Sequence, residues 1–203
     1  MTFIKTNFIV LLMVLMSGFA VMSIEMLGGR ILAPYFGSSV YVWGSLIFTF
    51  MIGLSLGYGI GGKLSVKFHG THVLSLLLAL SAVQVVLQVF LAEPILLLTF
   101  EHTSDPRTGS LLASMALYLL PTATMGMISP IAIRSISRHI QQVGSHAGML
   151  YLVSTLGSAL GTLITSFWLV AIYEVNTILY GNALFLFAAA GLGAITFKIE
   201  GSK

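Results

Sequence analysis

The chain has 203 residues, 57% of them apolar and only 7% charged, with a mean hydropathy of +1.02, no cysteine and a formal charge of +3. Soluble domains carry roughly 25% charged residues, so this balance excludes a soluble globular fold and leaves an integral membrane protein. The missing cysteines exclude disulfides and thiolate metal sites, and the basic residues are scattered over segment ends without the continuous face that nucleic-acid binding needs.

A hydrocarbon core of about 30 Å needs roughly 20 apolar residues per helix. Six segments reach that length, near 8–29, 41–64, 72–99, 111–133, 147–171 and 176–197. The separators, "APYFGSS", "VKFHG", "EHTSDPRTG", "SRHIQQVGSHAG" and "YEVN", are short and rich in turn formers. The expectation is an all-α polytopic membrane protein, a single six-helix transmembrane domain over 1–203 in contact with the lipid bilayer. Ten-residue alternating strands, the mark of a membrane β-barrel, are missing from the pattern. No small-residue cleavage site follows the first apolar run, so that run is expected to stay as a span.

The first span ends in "SIEMLGGRILAPYFGSSVYVWG", residues 23–44, which holds Glu25 and Arg30. Five residues turn an ideal helix by about 500°, so the two side chains stand about 140° apart unless Gly28-Gly29 bends the chain. Two roles are open to them: an ion pair or interfacial anchor, and a substrate-binding or proton-coupling site. In the second span Gly53, Gly57 and Gly61 recur every four residues, a stripe that lets helix backbones approach. Gln84 and Gln88 share one face of the third span and need partners there, either another helix or a polar substrate. The following loop gathers Glu101, His102, Asp105 and Arg107 and reads as a solvated, charge-balanced turn, with an ion or substrate-entry site as the sharper alternative.

In the fourth span Pro121 and Pro130 flank Gly126, so a kink is expected there, either plainly structural or lining a cavity. The fifth span repeats the small-residue stripe with Gly157 and Gly161 beside Ser154, Ser158, Thr162 and Ser166. Gly191-Leu192-Gly193 in the sixth lies inside an apolar helix and is discounted as a nucleotide turn. His69, His72, His139 and His146 have no metal-ligand spacing, so neither a metal nor another cofactor is expected. With the N-terminus inside, seven of the nine basic residues (Lys5, Lys63, Lys67, Arg134, Arg138, Lys198, Lys203) fall on the inner side and two, Arg30 and Arg107, on the outer. This asymmetry places both termini in the cytoplasm.

The stretch "SGFAVMSIEMLGGRILAPYFGSSVYVWGSLIFTFMIGLSLGYGIGGKLS", with "LLPTATMGMISPIAIR" and "GSHAGMLYLVSTLGSALGTLITSFWLV" further on, resembles the N-terminal membrane region of bacterial fused MFS/spermidine synthase proteins, also called membrane spermidine synthase-like. The resemblance spans roughly residues 15 to 172 and is most specific in the first third. It implies a half-major-facilitator-like bundle in the bacterial inner membrane. With that bundle, transport of a small polar or cationic solute, with a polyamine connection, is the first functional expectation, and the polar residues of the spans, Glu25, Arg30, Gln84 and Gln88, are its candidate site. Val66 stands where that family's loop between the second and third helices usually has an acidic residue, which counts against a charge-based gate. The family's soluble synthase domain is expected to be lacking, since only "KIEGSK" follows the sixth span. Self-contained aminopropyl transfer is therefore not expected. Two partner arrangements follow: a homodimer of six-helix halves, or a membrane anchor for a separate soluble synthase-like enzyme held through inner-side residues such as Arg134, Arg138, His139 and His146. A lipid- or polyamine-modifying intramembrane enzyme is the weakest of the three readings, because no nucleophile with a nearby base can be named.

Overall fold

The computed structural model describes the backbone of residues 2–137 and 143–200 and the side chains of residues 7–137 and 143–194. Arg138, His139 and Lys203, and the side chains of Lys5 and Lys198, lie outside the described residues. Six helical segments are long and apolar enough to cross a membrane, and no strand occurs among the described residues. The protein is an all-α, multi-pass membrane protein. In chain order the helices are α1 (Thr2–Phe36), α2 (Val40–Leu64), α3 (Thr71–His102), α4 (Pro106–Gly126), α5 (Ile128–Ile136), α6 (Val143–Ile164), α7 (Val170–Ile172) and α8 (Val175–Glu200), with a π-helical stretch, Thr165–Leu169, between α6 and α7. The fourth span is α4 with α5, and the fifth runs from α6 through α7.

The turns and breakers act differently from their reading in the sequence. The first span does not stop near residue 29: α1 continues through Gly28-Gly29 and Pro34 to Phe36, and the chain turns at Gly37, where φ is +77°. Both positions are helical and fit glycine because neighbours occupy the space a Cβ would need, Leu46 and the Tyr118 ring at Gly28 and the Trp43 ring at Gly29. The third span likewise runs past 99 to His102 with Pro94 inside it, and Val143 to His146, expected in a loop, are helical. Away from water an uninterrupted helix satisfies its own peptide groups, so an isolated glycine or proline is absorbed, and a combination of them disturbs the ladder without ending the span. That combination occurs in the fourth span. Pro130 cannot donate to the Gly126 carbonyl, Gly126 lies flush on α2, and α4 gives way to α5 at Met127.

The first span is the hub, touching every other span. It buries Val10, Met13, Val14, Ala20, Ile24 and Leu27 in the core. The widest interfaces pair α1 with α6, α2 with α4, and α3 with α8; next come α1 with α8 and α3 with α4. Exchanging the first three spans with the last three maps this set of pairs onto itself. Since spans one and four cross in opposite senses, this pairing has the pattern of an inverted repeat of two three-helix units. The register repeats as well. A Cβ on Gly57 or Gly61 would collide with the backbone of Ala123 or Met127, and a Cβ on Gly157 or Gly161 with that of Leu15 or Phe19. In the reverse direction Gly126 lies against the Leu54 carbonyl as Gly18 lies against that of Ser154. Backbone contact of this kind supplies the dispersion and packing that hold helices together where lipid is as apolar as leucine.

Candidate functional site

Glu25 is the one carboxylate in the buried set, 8% exposed, and no described residue offers it a hydrogen bond or an ion pair. Arg30 is exposed. Because α1 is continuous through Gly28-Gly29, the angular offset of about 140° between the two side chains persists, and the structure does not bring them together.

The surface of α1 that carries Glu25 also carries Ser17, Gly18, Val21 and Met22, at helical spacings of three and four. These four residues form one wall of a cleft of about 70 Å³ between α1, α2, α4, α5 and α6. Its other walls bring hydroxyls: Tyr58 from α2, Ser129 from α5, and Ser154 and Ser158 from α6. The Ser158 hydroxyl donates to the Gly18 carbonyl at 3.2 Å. Thus the small-residue stripe of the fifth span serves two purposes: Gly157 and Gly161 bring the helices together, and Ser154 and Ser158 turn hydroxyls into the gap. The cleft lies where the two three-helix units cross, beside the turn at Met127. In this conformation it has room for water and not for a solute the size of a polyamine.

Gln84 and Gln88 belong to a different crevice, between α3 and α4. Gln88 Nε2 donates to the Leu117 carbonyl at 3.0 Å. That carbonyl is the one left without an intrahelical donor by Pro121, four residues on. Gln84 Nε2 donates to Thr124 Oγ1 at 3.1 Å, and Thr124 in turn donates to the Leu120 carbonyl. The two glutamines therefore tie α3 to the proline-disturbed stretch of α4, and each leaves its Oε1 without a partner.

A third polar group was missed in the sequence reading. Ser23, two residues before Glu25, accepts hydrogen bonds from Thr165 Oγ1 at 2.7 Å and from Asn182 Nδ2 at 2.9 Å, all three side chains being buried. The signal for it was an asparagine in the middle of the apolar sixth span, which must find partners inside the bundle. Its partners could not be assigned because they lie on the first and fifth spans, and Thr165 opens the π turn.

At the end of the bundle near Phe36, Asp105 accepts from the Arg107 backbone N–H at 3.1 Å and, with Pro106 in the first turn, caps α4. The Arg107 guanidinium sits 4.4 Å from the Tyr41 ring centroid. These contacts give the acidic loop a helix-starting role. At the opposite end Ser137 Oγ lies 3.2 Å from His146 Nδ1. Among the described residues no three histidines or carboxylates converge as a metal site would require.

No protein-family model matches the chain, and neither does a curated protein or a solved structure. The functional reading therefore rests on the residues themselves.

Proposed function

We propose that this chain is a membrane transporter-like protein for a small polar or cationic solute, acting as a dimer of six-helix halves, with Glu25 as the group that meets the cation or carries a coupled proton. The observation that carries this reading is a buried, unpartnered carboxylate on the same helix face as a hydroxyl-lined cleft, at the crossing of the two three-helix units. Ionisable groups at such depth are costly, and transport sites are commonly built beside discontinuous helices at repeat interfaces. Two irregularities stand here, the turn at Met127, across which the helical hydrogen bonds continue, and the π turn at Thr165–Leu169. In this reading Gln84 and Gln88 hold the proline-disturbed span in shape, and Arg30 acts at the membrane edge.

The dimer is supported by the fifth span. In α6 only Leu150, Gly157 and Gly161 are buried, while Leu152, Leu156, Leu160 and Leu163 are exposed on the opposite face. A second copy would pack on this exposed apolar face of the fifth span. The polyamine connection comes from the sequence resemblance and decides the choice of probe.

The test is uptake of putrescine and spermidine by the full chain in liposomes, comparing wild type with Glu25→Gln, Ser158→Leu and Arg30→Ala. Saturable uptake that falls at least tenfold in the first two variants and less than threefold in the third is expected. Absence of both uptake and binding in correctly folded protein would overturn the transport reading and favour an anchor for a soluble synthase-like partner.

A further inference from the structure

On the side of α1 that faces α8, a groove of about 400 Å³ opens toward lipid, lined by Phe19 of α1, Leu169 of the fifth span, and Ile178, Gly181, Asn182 and Phe185 of α8. Thr177 and Tyr173, both exposed, complete its lining. No lysine, arginine, aspartate or glutamate lines it. Its one deep polar group is Asn182, which is 4% exposed and whose Oδ1 is buried without a partner. The orientation of this amide is set by chemistry: Nδ2 lies 3.0 Å from the Ile178 carbonyl, which can only accept, so the oxygen must be the atom left over.

A buried carbonyl oxygen without a donor costs on the order of 1–3 kcal/mol. The π turn beginning at Thr165 widens the fifth span at this level, and such turns occur frequently at functional sites. Asn182 lies seven residues into α8, ~10 Å along the helix from Val175. A charged headgroup brought to that depth would find no countercharge, whereas an apolar chain with a single hydroxyl matches both the walls and the free acceptor.

We propose that this groove binds a neutral, hydroxyl-bearing membrane lipid, whose chain packs against Phe19, Ile178 and Phe185 and whose O–H donates to Asn182 Oδ1 after a small turn of that side chain uncovers the oxygen. The site is separate from the Glu25 cleft and stands whether or not the transport reading does. Its occupancy is coupled to the first, fifth and sixth spans, because Asn182 and Thr165 both bond to Ser23.

The experiment is photolabelling of the full chain in lipid nanodiscs with a long-chain alcohol bearing a mid-chain diazirine, with labelled peptides mapped. Saturable labelling of the segments holding Phe19 and residues 178–185 is expected. Unlabelled alcohol should compete at least fivefold better than its methyl ether or the corresponding alkyl sulfate. Gly181→Leu should lower labelling at least fivefold with unchanged thermal unfolding, since a Cβ at Gly181 meets no atom within 4 Å and the larger side chain projects into the groove. Labelling spread without saturation over all lipid-facing spans, equal competition by the ether, or unchanged labelling in a folded Gly181→Leu variant would each overturn the proposal. If that variant misfolds, the alcohol-against-ether comparison in the wild-type protein decides alone.

Discussion

The two seams related by the inverted-repeat pattern are built on one plan and finished with different chemistry. Between α2 and α4, Gly57 and Gly61 lie against the backbone of Ala123, Gly126 and Met127, Gly53 lies against the Thr122 side chain, and one hydroxyl pair, Ser45 with Ser110 at 3.2 Å, closes the seam near its end. Between α1 and α6 the same plan keeps Gly18, Gly157 and Gly161, and its hydroxyls stand beside a cleft, Ser158 donating to Gly18 and, in the π turn that follows, Thr165 to Ser23. The first seam relies on close packing and is buttressed from α3 by Gln88 and Gln84. The second seam exposes polar groups to a cleft and ends in a π turn. A symmetric scaffold can thus carry an asymmetric site by changing a few side chains along one of two equivalent interfaces.

The largest effect should come from closing the shared plan. Gly57→Leu and Gly157→Leu each drive a side chain into a neighbouring backbone, which cannot retreat as a side-chain tip can, and overpacking of this kind costs about 3 kcal/mol or more. Thermal unfolding in detergent should show both variants failing to fold or melting far below wild type. Equal tolerance of the two would break the claim that both seams are backbone contacts.

Next in size is Gln88→Leu, which strands the Leu117 carbonyl beside Pro121 and should cost about 1–3 kcal/mol. Restoring a donor at position 121 by Pro121→Ala should recover part of that loss, because the carbonyl regains its intrahelical partner. A double-mutant cycle on these two residues measures the coupling, and strict additivity would refute the assignment.

Ser23→Ala tests the finish of the α1–α6 seam, removing the acceptor of Thr165 and Asn182. Interhelical hydrogen bonds in membranes are worth about 0.6 kcal/mol on average, so a loss of about 1–2 kcal/mol is expected for the pair. The change should also alter photolabelling of the α8 groove, since Asn182 would be freed to turn. The smallest effect belongs to Gly59→Ala. Gly59 lies in the same span as the seam glycines, yet an added Cβ meets nothing within 4 Å, so stability should stay within about 0.5 kcal/mol of wild type. A large destabilisation there would mean that another surface covers this face.

Membrane class, helix count and the approximate position of each span were legible from residue type alone, because six stretches of sufficient length and apolarity admit few other solutions in lipid. The periodicity of Gly53, Gly57 and Gly61 likewise marked a helix face before any partner was known. Segment ends were less legible, as the continuation of α1 to Phe36 shows. Gly28, Gly29 and Pro34 look like punctuation along the chain, but all three lie inside α1, and the two glycines are there to admit Leu46, Tyr118 and Trp43 from other spans.

The site divides in the same manner. Glu25 stood out in the sequence because a carboxylate is rare in such a chain, and Gln84 and Gln88 because amides in apolar spans demand partners. Which of these share a space is a question of rotation about each helix axis and of neighbours more than a hundred residues away. Ser23, Thr165 and Asn182 meet only because α1, the fifth span and α8 converge, and the glutamines fall on the far side of α4 for the same reason. Composition and period determined that this chain crosses a membrane six times and which helix faces are small or polar. Tertiary packing alone decided which faces meet, because in lipid the choice among apolar faces depends on backbone fit and on pairing each buried polar group, and neither is written in local sequence.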